Sequence, residues 1–380
     1  MNISESIKKK INKSILVKYK FTDLFENIVE KVAPKKSGLE NYIGLKHLDT
    51  KSLKIRRFGK TSEVEGDKQK IYKGDFIFAK RNSYLKRVGI ADFDAVASAH
   101  SLILRPKPEN AVKDFLPFFL LSELFWQRAI EISVGSLSPT INWKTLAKQE
   151  FLLPPKKIQA ELTQLLWSSN EVIEKQNLIL DNLKRYDSSQ LNFFFSDLQT
   201  SNAVNLKDII NLKKGKKPPS LKDHGDGLPY NTLNYLRFGK LEYIVPQKYI
   251  SDLEKINQND LLMVWDGNAA GEIIFGKDGI LASTMCKLEI KNKNYLKNYI
   301  FQFIRSKEFY LRRTTIGSAI PHVYPLVFNK IKIPKLEINE QEKIVNIFEI
   351  IKKCIEDCEI QILKSKNLQK SLINKIFNDV

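Results

Sequence analysis

The sequence predicts a mixed α/β (α+β) chain: two globular bodies joined by two long helices that pair antiparallel as a coiled coil, with an internal pseudo-twofold repeat. Three observations predict it. Two long stretches carry apolar residues at three-four spacing without proline or glycine inside them. The second half of the chain repeats landmarks of the first in order. Charge divides between bodies and helices, since residues 1–150, 151–200, 201–333 and 334–380 carry +11, −1, +9 and 0, making the total of +19. These segments are the expected body, helix, body and helix.

The first helix is expected from Pro155 to Phe195, with Pro154 and Pro155 ahead of it, where a missing amide donor is tolerated. At ~1.5 Å per residue, about 38 residues make a rod of roughly 57 Å. The second follows Pro334. The packing stripe is expected at Leu162, Leu165, Val172, Ile179 and Leu183 of the first helix, and at Ile344, Phe348, Ile351, Ile355 and Ile362 of the second. Ser169 and Gln176 are polar positions in that seam.

The repeat has an offset of 180–185 residues. Phe21-Thr-Asp-Leu24 answers Leu206-Lys-Asp-Ile209, and a lysine-rich turn follows each. Gly74-Asp75-Phe-Ile-Phe78 answers Asn259-Asp260-Leu-Leu-Met263. Ala97-Ser98 answers Ala282-Ser283, each leading into a strand. An apolar helix follows, around residues 118–125 and 300–309. Each copy then reaches Gly-Ser-x-x-Pro, at Gly135 to Pro139 and Gly317 to Pro321.

Composition narrows the class. The length allows two or three domains. Three cysteines are too few for a disulfide framework, which points to a reducing compartment. The basic start of the chain has no apolar run behind it, and the apolar stretch from Phe115 to Trp126 is too short for a bilayer and contains Glu123. The expectation is a cytoplasmic protein with no membrane partner. Basic bodies on neutral helices suggest a polyanion held at two places.

Two divergent α/β units alternate with two similar helices, each preceded by proline and carrying a glutamine near its start, Gln159 and Gln341. Helix 2 reads Ile333-Pro334, then Glu340-Gln341-Glu-Lys-Ile344. Helix 1 has Ile158-Gln159 in place of Glu-Gln. Together with Gly-Ser-x-x-Pro before each helix, the pattern resembles the DNA-specificity (S) subunit of type I restriction–modification systems over nearly the whole chain. The resemblance implies that each body is a target-recognition domain reading one half of a bipartite double-stranded DNA target. It implies that the helices set the unread spacer and dock two methyltransferase subunits, which endonuclease/translocase subunits join. It further implies a non-catalytic chain without cofactors of its own. S-adenosylmethionine, ATP and Mg²⁺ would belong to the partners.

Phosphate contacts are expected first from the lysine-rich turns, at Lys35, Lys36, Lys213, Lys214, Lys216 and Lys217. Arg81 and Tyr84, and Trp265 and Asn268, follow matched strands and combine hydrogen-bonding groups with an aromatic ring, a place in the core being the other reading of Trp265. Lys86, Arg87 and Arg237 are further candidates.

No catalytic residue is expected. The Pro-Pro pairs at Pro154 and Pro218 lack the flanks of an adenine methyltransferase motif. The four histidines show no metal-ligand spacing. The alternative reading is a basic two-domain scaffold that binds RNA or acidic partners.

Overall fold

The computed structural model describes residues 16–195 and 202–377. The long helices run Lys156–Phe195 and Ile338–Phe377, 40 residues each. The chain forms two compact units. Residues up to Asn177 join those from Ile360 in unit 1, and Leu178–Glu359 make unit 2. Each unit therefore holds one α/β body, the part of one helix that starts there and the part of the other that ends there.

In unit 1 a four-stranded sheet has the order Phe25–Ile28, Ser101–Pro106, Phe76–Ala79, Val88–Ile90, all antiparallel. A five-stranded sheet contains one parallel pair, Asn41–Ile43 with Ala95–Ala97. Unit 2 repeats the topology with one strand fewer in its second sheet. Its first sheet runs Ile210–Lys214, Met285–Ile290, Leu261–Val264, Ile273–Phe275. Its second has the matching parallel pair, Gly227–Asn231 with Gly279–Leu281.

The repeated five-residue motif makes the central strand of each unit, and its alternation explains both cores. Successive side chains of a strand point to opposite faces. Phe76 and Phe78 enter a core shared with the helices, while Ile77 and Ala79 enter a core between the sheets. In unit 2 Leu261 and Met263 face the helix side, and Leu262 and Val264 face the second sheet. The aspartate ahead of each strand closes the turn before it. Asp75 accepts from the Tyr72 amide (3.0 Å) and from Arg105 Nε (2.8 Å). Asp260 accepts from the Asn257 amide (2.9 Å) and pairs with Lys287 (3.1 Å). The expected apolar helix of the first body is broken in two by Ser122, which caps Glu123–Glu131 by accepting from the Phe125 amide at 3.2 Å.

The helices are fixed to the bodies by two fully buried glutamines. Gln159 donates to Pro154 O (2.8 Å) and accepts from the Val112 amide (2.8 Å). Gln341 donates to Leu336 O (2.9 Å) and Asn294 O (2.7 Å), and accepts from the Leu296 amide (2.8 Å). Beyond them the shielded positions advance by alternating threes and fours, as at Leu162, Leu166, Ser169, Ile173 and Gln176, and at Ile344, Phe348, Ile351, Ile355 and Cys358. In unit 1 Leu162 and Leu166 share a core with Ile373, Ile376 and Phe377. In unit 2 Leu191 and Phe195 share one with Ile344, Val345, Phe348 and Ile351. One helix begins where the other ends, the sense of an antiparallel pair.

The packing stripe of the first helix needs correction at three positions. Leu165, Val172 and Ile179 are exposed by 36%, 50% and 53%. The first helix carries apolar residues in two adjacent rows. Neighbouring residues are turned about 100° from each other, so the row of Leu166, Ile173 and Leu180 faces inward and the row one residue earlier faces out. Leu368, in the apolar periodicity of the second helix, is exposed as well.

Replacing Gln159 or Gln341 by alanine strips the partner from a shielded amide, and each substitution should cost about 1–3 kcal/mol in denaturant unfolding. Val172→Ser, on the outward row, should change stability by less than about 0.5 kcal/mol.

Candidate nucleic-acid interface

In each unit the chain leaving the central strand meets the Gly-Ser-x-x-Pro segment. The Ile141 amide donates to Lys80 O (2.8 Å) in unit 1, and the Val323 amide donates to Trp265 O (2.9 Å) in unit 2. The Gly-Ser-x-x-Pro segments are tight hairpins. Val134 and Thr140 exchange backbone hydrogen bonds of 3.0 and 2.9 Å, and Ile316 and His322 exchange bonds of 3.0 and 2.8 Å. Gly135 and Gly317 sit at φ +99° and +94°, the region that favours glycine. A Cβ on Gly317 would stand 2.6 Å from Ile320 O. The proline carbonyl of each hairpin accepts from the facing loop, from Ser83 at 3.3 Å and from Gly267 at 2.8 Å.

The facing loops differ between units. Unit 1 presents Arg81, which bridges Thr140 and donates to Ser138 Oγ (3.4 Å), and an exposed Tyr84. Asn82 and Lys86 take left-handed backbone conformations, φ +56° and +47°, on either side of the short turn that holds Tyr84 outward. Unit 2 presents Asp266, Gly267 and an exposed Asn268. Asp266 gathers Lys214 Nζ (2.9 Å) and His322 Nδ1 (2.6 Å).

The basic candidates separate by what already holds them. Lys36, Lys216 and Lys217 are exposed and, among the described residues, have no carboxylate partner; nor does Arg81. Gly215 lets the Lys216-Lys217 loop run close to its neighbour, for a Cβ there would stand 2.1 Å from Ala282 O. Lys35 pairs with Glu65 (3.1 Å) at the edge of a cleft of about 800 Å³ that also contains Lys60 and Phe58. Lys213 pairs with Glu289 (3.0 Å), whose hydrogen bond raises the pKa of the lysine. Pairs this exposed are screened by water and weak, so a phosphate can displace the carboxylate.

Six candidates stand differently from the sequence reading. Trp265 is only 8% exposed and belongs to the core with Tyr299 and Phe303. It is the first residue past the central strand, and its ring lies on the helix-facing side with Leu261 and Met263. Lys86 is half-buried against Glu123, and Arg87 spends Nη1 on Leu45 O at 2.7 Å, with burial pushing its pKa down. Arg237 is clasped by Glu272, Nε to Oε1 being 2.8 Å, and the Glu272 hydrogen bond raises its pKa. Lys213 and Lys214 lie on the end of a strand, not in a turn. The sequence reading missed the Asp266–His322 pair and the solvent-facing hairpin tips. Motif spacing marked the hairpins, but only the fold brings them beside the facing loops.

A duplicated α/β body on a long helix, with a common hairpin beside a divergent loop, defines a chain of two repeated units. The chain belongs to the type I restriction modification DNA specificity domain family, whose model matches residues 14–192 and again 199–365. The "Type I restriction enzyme MjaVIII specificity subunit" of Methanocaldococcus jannaschii is 38% identical over 179 residues, 46% of this chain and 41% of that subunit. The match thus spans less than half of that relative. Among solved structures, a chain from work on complex assembly and conformational transition of the type I R-M system aligns at TM-score 0.61. It has 17% identity and covers 96% of this chain and 98% of that one. The type I restriction–modification S subunit from M. genitalium aligns at TM-score 0.56. It has 16% identity and covers 97% and 98%. At such identities these two establish a shared fold. No helix among the described residues is long and apolar enough to cross a membrane.

Glu123 ties Lys51, Lys86 and Lys370 together in unit 1. Burial raises its pKa, but hydrogen bonds and charge from Lys86 and Lys51 outweigh that and hold it below the usual carboxylate range. A depressed folded pKa stabilises above the unfolded value and is lost as pH falls through the folded value. Glu123→Gln should therefore cost about 1 kcal/mol at pH 7. In melts at stepped pH, that difference should close as the pH drops below the ordinary carboxylate range.

Proposed function

We propose that this chain is the non-catalytic DNA-specificity subunit of a type I restriction–modification complex, working in the cytoplasm. Each body reads one half of a bipartite duplex target. The observation that carries this reading is the pair of matched bodies whose hairpins agree and whose facing loops differ. Equal scaffolds with unequal loops suit two half-sites of different sequence. Charge supports the same reading, because the positive excess lies on the bodies and the helices are neutral.

The helices act as the spacer. At 40 residues each is roughly 60 Å long, ample for half-sites one turn of DNA apart, about 34–36 Å between centres. Their outward faces are where two methyltransferase subunits dock. Leu165 and Val172 on unit 1, and Ile179, Tyr186 and Phe193 on unit 2, recur every seven residues along the first helix. Exposed apolar rows of this kind mark protein contact. S-adenosylmethionine stays with those subunits, and ATP and Mg²⁺ with them or with the endonuclease/translocase subunits that join.

Lys216→Ala with Lys217→Ala should weaken binding to every duplex and reduce the slope of log K against log salt by about 2. An unchanged slope in a shift assay removes this loop from the interface. Lengthening both helices by whole turns should widen the unread spacer of the methylated motif, read by methylome sequencing, and leave both half-site sequences as they were. Altered half-sites would sink the spacer role.

A further inference from the structure

The hairpins at 134–140 and 316–322 are alike in the two units, while the loops they flank are not. Both read Gly-Ser-x-x-Pro, both close by the same reciprocal backbone pair, and both hold the facing loop through the proline carbonyl. Their tips are solvent-facing. Leu137 is 95% exposed, and Ile320, Ser136 and Ser318 are exposed too. Among the described residues, the amides of 135–138 and 317–320 donate to no protein acceptor, and neither Ser136 nor Ser318 has a hydrogen-bond partner. An element common to both units must face something common to two different half-sites. Bases differ between half-sites; the sugar–phosphate backbone does not.

We propose that the two Gly-Ser-x-x-Pro hairpins grip the DNA backbone, one in each half-site, and that the divergent loop each one holds does the base reading. Free amides and the serine hydroxyl donate to phosphate oxygens, and the apolar tip, Leu137 or Ile320, lies against deoxyribose. The backbone grip fixes the distance and angle at which Arg81 and Tyr84, or Asn268, approach the groove. The inference rests on the reading of the chain as a DNA-specificity subunit and divides that reading into a positioning part and a specifying part. It differs from the lysine contacts in one measurable respect. Neutral donors displace no counterions, so their loss lowers affinity without changing the salt slope.

The test uses the full chain expressed with a type I methyltransferase subunit. Methylome sequencing first gives the wild-type motif. Dissociation constants are then measured across a salt series on a duplex carrying that motif and on a scrambled one. The variants are Ser136→Ala with Leu137→Ala, and Ser318→Ala with Ile320→Ala, all at exposed side chains that hold nothing in the fold. Each pair should weaken both duplexes alike, by about 3- to 10-fold, with an unaltered motif and salt slope. An altered base in one half-site would make the hairpin a reader, and loss of the methyltransferase subunit on purification would make it a protein-docking loop; either overturns the inference. Unchanged affinity overturns it as well. A wild type that yields no bipartite motif and no preference between duplexes removes the specificity-subunit reading itself, before any variant is compared.

Discussion

Everything in this chain depends on how two long helices are held to two bodies, and a buried glutamine does that in each unit. A primary amide offers donors and an acceptor in one plane. Gln159 and Gln341 use both kinds, tying a carbonyl just before the helix to an amide in the adjoining body loop. Each tie fixes the start of the helix against its body, beside the apolar core that the two share. An error at that point would be carried along the whole body to its loops, far from the helix. Leucine would fill the space but satisfy none of the backbone groups, which explains why a polar residue stands at a fully shielded position.

The central strands supply the other constraint. Because Phe76, Phe78, Leu261 and Met263 face the helices while Ile77, Ala79, Leu262 and Val264 face the second sheet, each strand is held from both sides. The loop that follows therefore starts from a fixed point, the hairpin holds its first residues, and the next strand, Val88–Ile90 or Ile273–Phe275, fixes its far end. A loop fastened at both ends can vary in sequence without moving the body that carries it. Arg81 in one unit and Asp266 in the other occupy equivalent places with opposite charge. Asp266 neutralises Lys214 and orients His322, so unit 2 presents a less positive surface at this point than unit 1.

Ion pairing sorts the basic surface. Of the 62 lysines and arginines, those in the sequence-marked turns fall into two kinds. Lys36, Lys216 and Lys217 are open to solvent, whereas Lys35, Lys213 and Lys214 already hold carboxylates. Counting lysines cannot distinguish the two kinds, since Glu65, Glu289 and Asp266 come from elements remote in sequence.

The sequence by itself determined the duplication, the two helices, the motif-bearing strands and the place of the Gly-Ser-x-x-Pro segments, because each is a local pattern: periodicity for the helices, a five-residue run for the strands, glycine and proline for those segments. It also marked Gln159 and Gln341, although it gave them no partners. Only the tertiary structure decided which of two adjacent apolar rows on the first helix turns inward. Leu165 and Leu166 are both leucines, and the choice depends on where the body and the second helix lie. Tertiary structure also took Trp265 into the core and placed Lys86 against Glu123. Burial and ion pairing are set by residues far apart along the chain, and no local pattern contains that information.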